Sequence, residues 1–205
     1  MKLYYFSGAC SLGIHVLLEE AGAVYEPAFV DFTKGEQHGA AYLAVNPKGK
    51  VPALELDEGG VLTEWPAIAA WIAASYPAAT LLPAAPLAQA RVLEMVAYIN
   101  STVHSQGFAR MVRSAAFAPN PDDKEAVKAR GKEIFAQGFE LIAAALGDRP
   151  FVAGAEFSIA DAALFYVAYW AKATKQPIPA VIEAHYARML SRPAVGRVMA
   201  AEGLA

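Results

Sequence analysis

The chain has 205 residues, 56% hydrophobic and 18% charged, enough to bury a core in one large domain or two small ones and too apolar for disorder. Lys and Arg number 17 against 20 Asp and Glu, a net charge of −3. No basic run offers the electrostatic footprint that nucleic acid requires.

The first strand is expected over residues 2–6, bending at Ser7-Gly8 into a helix that carries Val16, Leu17 and Leu18 and ends near Ala21-Gly22. Cys10, the single cysteine, falls where strand gives way to helix; it excludes an internal disulfide and asks for no oxidising compartment. The residues before it are too few for a lipoprotein signal. A helix N-terminus has unpaired N–H groups and partial positive charge, which favour the nucleophilic thiolate. A cysteine outside a disulfide more often serves as a small buried hydrophobe, so this stretch by itself favours that reading over the nucleophile.

A second strand is expected over 25–32, with Pro27 pointing to an edge or a strand start. Residues 34–43 read as a short or irregular helix, and Asn46-Pro47-Lys48-Gly49-Lys50 as a turn. A strand over 51–56, the hairpin turn Asp57-Glu58-Gly59-Gly60 and a returning strand from Val61 follow. Thr63 then suits the N-cap of a helix with Pro66 in its first turn, running to just before Pro77. The order β-α-β-α-β-β-α describes a small mixed sheet with helices packed on it. The uncharged run 65–90 is divided by Pro66, Pro77, Pro83 and Pro86 into pieces too short to cross a bilayer, so the chain reads as soluble and cytoplasmic.

Residues 76–86 form a Pro- and Ala-rich connector, and everything beyond is predicted helical. Val92, Met95, Val96, Ile99 and Val103 recur at helical spacing, as do Val127, Ile134, Phe135, Phe139, Ile142 and Leu146. Ser158-Ile159-Ala160-Asp161 is a capping-box pattern opening an apolar helix over 162–170. Helices over 179–190 and 193–201 complete an α/β part followed by an all-α part.

Several segments carry a family resemblance: Lys2-Leu3-Tyr4-Tyr5 with Gly8-Ala9-Cys10-Ser11-Leu12, Asn46-Pro47-Lys48-Gly49-Lys50-Val51-Pro52-Ala53-Leu54, and Leu62-Thr63-Glu64 with Pro66-Ala67-Ile68. Phe157-Ser158-Ile159-Ala160-Asp161 and Arg192-Pro193-Ala194-Val195 extend it to the end of the chain, in the family's order. The sequence resembles the bacterial glutathione S-transferases, the beta class above others. The resemblance implies a thioredoxin-like glutathione-binding domain over 1–76, a linker over 77–86 and a helical-bundle acceptor domain over 87–205. It implies a homodimer with glutathione at a cleft between the domains, glutathione as co-substrate and no metal.

Residue by residue, the resemblance makes Cys10 the thiol-contacting residue, able to form a mixed disulfide, with Ser11 as a neighbouring hydroxyl and Tyr5 as the runner-up. Gly13 stands where a dithiol motif would place a second cysteine, so redox chemistry must borrow its second thiol from glutathione. Val51-Pro52 resembles a cis-proline turn whose backbone pairs with the extended ligand. Glu64 is implied to hold the γ-glutamyl end, and Lys34 and Lys50 to meet the glycyl carboxylate. Position 65, commonly small in the family, is Trp65; its backbone N–H still suits an anion at a helix start. His104 matches a histidine that reaches toward the ligand thiol, with Asn100 four residues earlier on the same face. His15, His38 and His185 are assigned no role, the last two lying in polar surroundings.

Phe108, Met111, Phe117 and Tyr166 are candidates for an apolar acceptor pocket. The implied activity is transfer of glutathione to a small hydrophobic electrophile, with glutathione-dependent thiol–disulfide exchange through Cys10 as an extension. The alternative is a non-catalytic protein that keeps the fold, a reading that Trp65 supports.

Overall fold

A computed structural model describes all 205 residues. Strand β1 (Lys2–Tyr5) leads into helix α1 (Ser11–Glu20) and β2 (Glu26–Phe29), and two single 3-10 turns precede α2 (Ala40–Val45). The hairpin β3 (Ala53–Glu55) and β4 (Val61–Thr63) then enters α3 (Trp65–Ser75). The four strands lie in the order β2-β1-β3-β4, with β1–β2 parallel and the other pairs antiparallel. Pro27 sits opposite Leu3 on the edge strand, where the hydrogen bond it cannot donate is not missed.

Two compact units divide the chain, one of Met1–Leu82 with Arg188–Ala205 and one of Pro83–Ala187. The expected helical domain over 87–205 thus gives up its C-terminal residues to the first unit. The cause is visible on α1, which is covered on every side: Leu12, Ile14, Val16, Leu17 and Leu18 are all wholly buried. Helix α9 (Pro193–Ala201) packs on it. Arg192 grips Glu20 through both guanidinium arms at 2.6 and 2.8 Å, and Arg197 pairs with Glu19 at 2.6 Å.

The second unit is helical: α4 (Pro86–Tyr98), a π-helical stretch over Ile99–Phe108, α5 (Ala109–Val112), α6 (Lys124–Leu146), α7 (Ile159–Ala173) and α8 (Ala180–Leu190), which ends past the unit boundary. The spacing of Val92 to Val103 predicted one regular helix, whereas the wider π winding begins at Ile99. Ile99, Val103 and Gly107 are buried at intervals of four residues, close to the π period. Glycines let this stretch lie against α6. A Cβ on Gly131 would meet the Met111 amide nitrogen at 2.6 Å and the Gly107 carbonyl at 2.8 Å, and one on Gly138 would strike Val103 at 2.7 Å. No helix is long and apolar enough to cross a membrane.

Candidate functional site

The first unit gathers Cys10, Val51, Glu64 and Trp65. Cys10 is the N-cap of α1 and half-buried. Its thiol donates to the carbonyl of Val51 at 3.3 Å, and its own carbonyl accepts from the Trp65 indole N–H at 3.0 Å. The Val51–Pro52 peptide bond is cis. Behind Val51, the core of Val30 and Tyr42 is closed by Tyr4, Phe6 and Phe32. The turn before it is built by Asn46, whose Oδ1 accepts from the Lys48 amide at 3.1 Å and whose amide donates to the Lys50 carbonyl at 2.7 Å. Tyr42 donates to that same carbonyl at 2.7 Å. Gly49 holds φ 60° in this turn, and a side chain there would press on the Gln37 carbonyl.

Glu64, rather than Thr63, is the N-cap of α3, with φ 71° and ψ 119°. A non-glycine residue held there stores about 1–3 kcal/mol of strain, the kind of outlier that concentrates at ligand-binding positions. Lys48, which sequence reasoning passed over, donates to the Glu64 carboxylate at 2.6 Å and to Thr63 Oγ1 at 2.9 Å. This hydrogen bond holds the Glu64 carboxyl below the usual range; desolvation opposes it, and the charges of Lys48 and Lys50 add to it.

Other expected residues stand elsewhere. Lys34 is exposed and pairs with Asp31 at 3.0 Å, away from Glu64 and Cys10 in its bonding. Hydrogen bonds from Thr33 and then Lys34 bring Asp31 down to about 2. The expected role of Ser11 beside the thiol does not fit its bonding. Ser11 is wholly buried, and its one hydroxyl proton goes to the Phe6 carbonyl at 3.2 Å. Tyr5 packs its ring against His15 and Phe29, and burial, with Glu202 adding, pushes its hydroxyl upward. Trp65 is 4% exposed, so its side chain is turned into the protein.

A buried carboxylate from α9's end supports the Cys10 loop. Glu202 accepts from the Gly8 amide at 2.9 Å and meets His15 Nδ1 at 2.8 Å, while its backbone oxygen accepts from the Ser7 hydroxyl at 2.6 Å. No local pattern marks Glu202; in sequence it looks like a solvated residue of the tail.

The second unit brings together Asn100, His104, Phe108, Tyr166 and Trp170. The Asn100 amide donates to the Val96 carbonyl at 2.9 Å, Tyr166 donates to Asn100 Oδ1 at 3.1 Å, and the Tyr166 hydroxyl lies 3.4 Å from His104 Nδ1. The Trp170 ring meets His104 edge-on at 4.7 Å and stacks on Phe108 at 4.2 Å. The four expected pocket residues do not form one wall. Tyr166 is fully buried, Met111 is 6% exposed, and Phe117 lies under the Arg110 guanidinium. No cluster of His, Cys, Asp and Glu suits a metal ion.

Two family models match the chain: "Glutathione S-transferase, N-terminal domain" over residues 1–74 and "Glutathione S-transferase, C-terminal domain" over 125–200. The Escherichia coli O157:H7 glutathione S-transferase GstA is 38% identical over the full length of both chains. The chain belongs to the glutathione S-transferase family. A glutathione transferase homologue from Sulfitobacter, solved with bound glutathione, superposes with a TM-score of 0.91 at 32% identity, covering 100% of this chain and 98% of that one. The bacterial beta-class glutathione S-transferase of Sphingomonas chungbukensis matches with a TM-score of 0.84 at 34% identity over all of both chains. The thioredoxin-like arrangement expected for the first part of a glutathione S-transferase is the four-stranded sheet with α1 and α3 described above.

Proposed function

We propose that the protein binds reduced glutathione, ionises its thiol and transfers it to a small hydrophobic electrophile. The observation that carries this reading is the Cys10 thiol donating at 3.3 Å to Val51, the residue whose backbone would pair with an extended peptide. Glu64 supports it as a carboxylate held ionised for the γ-glutamyl ammonium, and Lys48 and Lys50 supply positive charge for a ligand carboxylate. His104 takes the thiol proton; the thiolate sulfur attacks the electrophilic carbon, and the leaving group departs with its bonding electrons. Phe108, stacked on Trp170, offers the acceptor an apolar face. By family resemblance the active form is a homodimer, and a glutathione-dependent enzyme with a single cysteine suits the reducing cytoplasm.

Cys10 adds thiol–disulfide exchange. Its thiolate displaces one sulfur of a disulfide as thiolate, forming a mixed disulfide, and a glutathione thiolate then releases Cys10 by attacking that bond. Cys10→Ala should lower exchange by at least about 100-fold while leaving conjugation of an activated chloronitroarene within about threefold. Equal loss of both would make Cys10 part of the conjugation step. No conjugation by the unsubstituted protein would favour the non-catalytic alternative.

A further inference from the structure

Resting on the reading that His104 exchanges a proton with the glutathione thiol, we infer that Tyr166 is the positioning residue that keeps His104 protonated at Nδ1, so that the exchanged proton is always the one on Nε2. The carbonyl of Val96 can only accept, so the side-chain amide of Asn100 must face it with nitrogen, at 2.9 Å. The reverse orientation would set two oxygens against each other. Asn100 therefore presents Oδ1 to Tyr166, and an amide oxygen also only accepts. The single hydroxyl proton of Tyr166 goes to Asn100 at 3.1 Å. What Tyr166 offers His104 Nδ1, across a long 3.4 Å contact, is then an oxygen lone pair. Nδ1 must be the donor, in the neutral ring as well as in the imidazolium.

Packing holds each member in place. Tyr166 is wholly buried in α7, and the edge-on Trp170 ring braces the imidazole at 4.7 Å. Nδ1 and Nε2 are distinct positions on the ring, so fixing the proton on one fixes which atom serves as base toward the thiol.

The test is a two-bond ¹H–¹⁵N correlation spectrum of protein labelled with ¹⁵N-histidine, without glutathione and at a pH where the imidazole is neutral. The four histidines are separated by omitting His104 in a His104→Gln sample. The unsubstituted protein should show His104 with a protonated Nδ1 and a bare Nε2. Tyr166→Phe, which keeps the ring and its packing, should move the proton to Nε2. Asn100→Ala should do the same by releasing the Tyr166 proton to donate to Nδ1. In conjugation assays Tyr166→Phe should lower kcat about tenfold and leave KM for glutathione unchanged. A bare Nδ1 in the unsubstituted protein, or a His104 pattern untouched by both substitutions, would overturn the inference. The spectrum needs no ligand, so an inactive protein with the expected tautomer would fail the functional reading alone.

Discussion

Replacing Glu202 with alanine is expected to lower the free energy of unfolding by about 3–5 kcal/mol, read from urea denaturation. The Glu202 side chain is fully buried. Its carboxylate is the acceptor for the Gly8 amide and the partner of His15 Nδ1, which is itself buried. Alanine removes that acceptor from both and leaves a hole where no water is supplied by an open surface. The same substitution loosens the residues just before Cys10, because Ser7 and Gly8 are tied to Glu202. Arg197→Ala is the internal contrast. It breaks a pair on the same two helices, with the arginine side chain 58% exposed, and should cost less than about 1 kcal/mol. Equal costs for the two would mean that burial of Glu202 is not what ties α9 to α1.

Asp161→Ala should destabilise the second unit by a similar amount, about 3–5 kcal/mol. Its carboxylate accepts from the amides of Val152 and Ser158, the Ser158 hydroxyl and His185 Nε2, at 2.8 to 2.9 Å, with no exposure to solvent. It closes the capping box of α7, pins the preceding loop and satisfies a histidine at once. His185 donates through Nε2, and its Nδ1 is buried without a hydrogen-bond partner. Taking Asp161 away would leave both ring nitrogens unsatisfied. Ser158→Ala, which removes only the hydroxyl, should cost about 1 kcal/mol. A loss below about 1 kcal/mol for Asp161→Ala, by thermal or urea unfolding, would show that the loop finds other partners.

Much of this architecture is legible in the residues, because many of its elements are set by local signals. Alternating and periodic apolar runs, the Asp57–Gly60 turn and the capping box at Ser158 each act over a few residues, and the strands and helices stand where those signals point. The helix cap at Glu64 was not legible for a physical reason. Thr63 has the better intrinsic cap chemistry, but it is bound into β4 opposite Ala53, and the chain turns into α3 only by forcing Glu64 to positive φ. His185 could have been placed. Ile182 and Met189 lie three residues before and four after it, and both are wholly buried, so the helical period puts His185 on the same inward face.

The candidate site divides along the same line. Cys10, Val51-Pro52 and Glu64 belong to segments whose local pattern is distinctive. Lys48 and Glu202 act through partners 16 and 194 residues away, and no local pattern announces them. Ser11 shows the converse: adjacency to Cys10 suggested a shared chemistry, while folding turned its hydroxyl to the Phe6 carbonyl. The ring of Tyr166 and its helical position suggest pocket lining. Its hydroxyl, engaged with Asn100 and beside His104, gives it a different part.

In the proposed function this chain holds glutathione through the first unit, with Glu64 as an anchor. Calorimetric titration of the protein with reduced glutathione, under reducing conditions, tests it most directly. Saturable binding with Kd of about 1 mM or tighter is expected, weakened about tenfold, or 1.4 kcal/mol, in Glu64→Ala. No binding heat, together with no competition by glutathione in an independent assay, would contradict the account; so would binding that Glu64→Ala leaves unchanged.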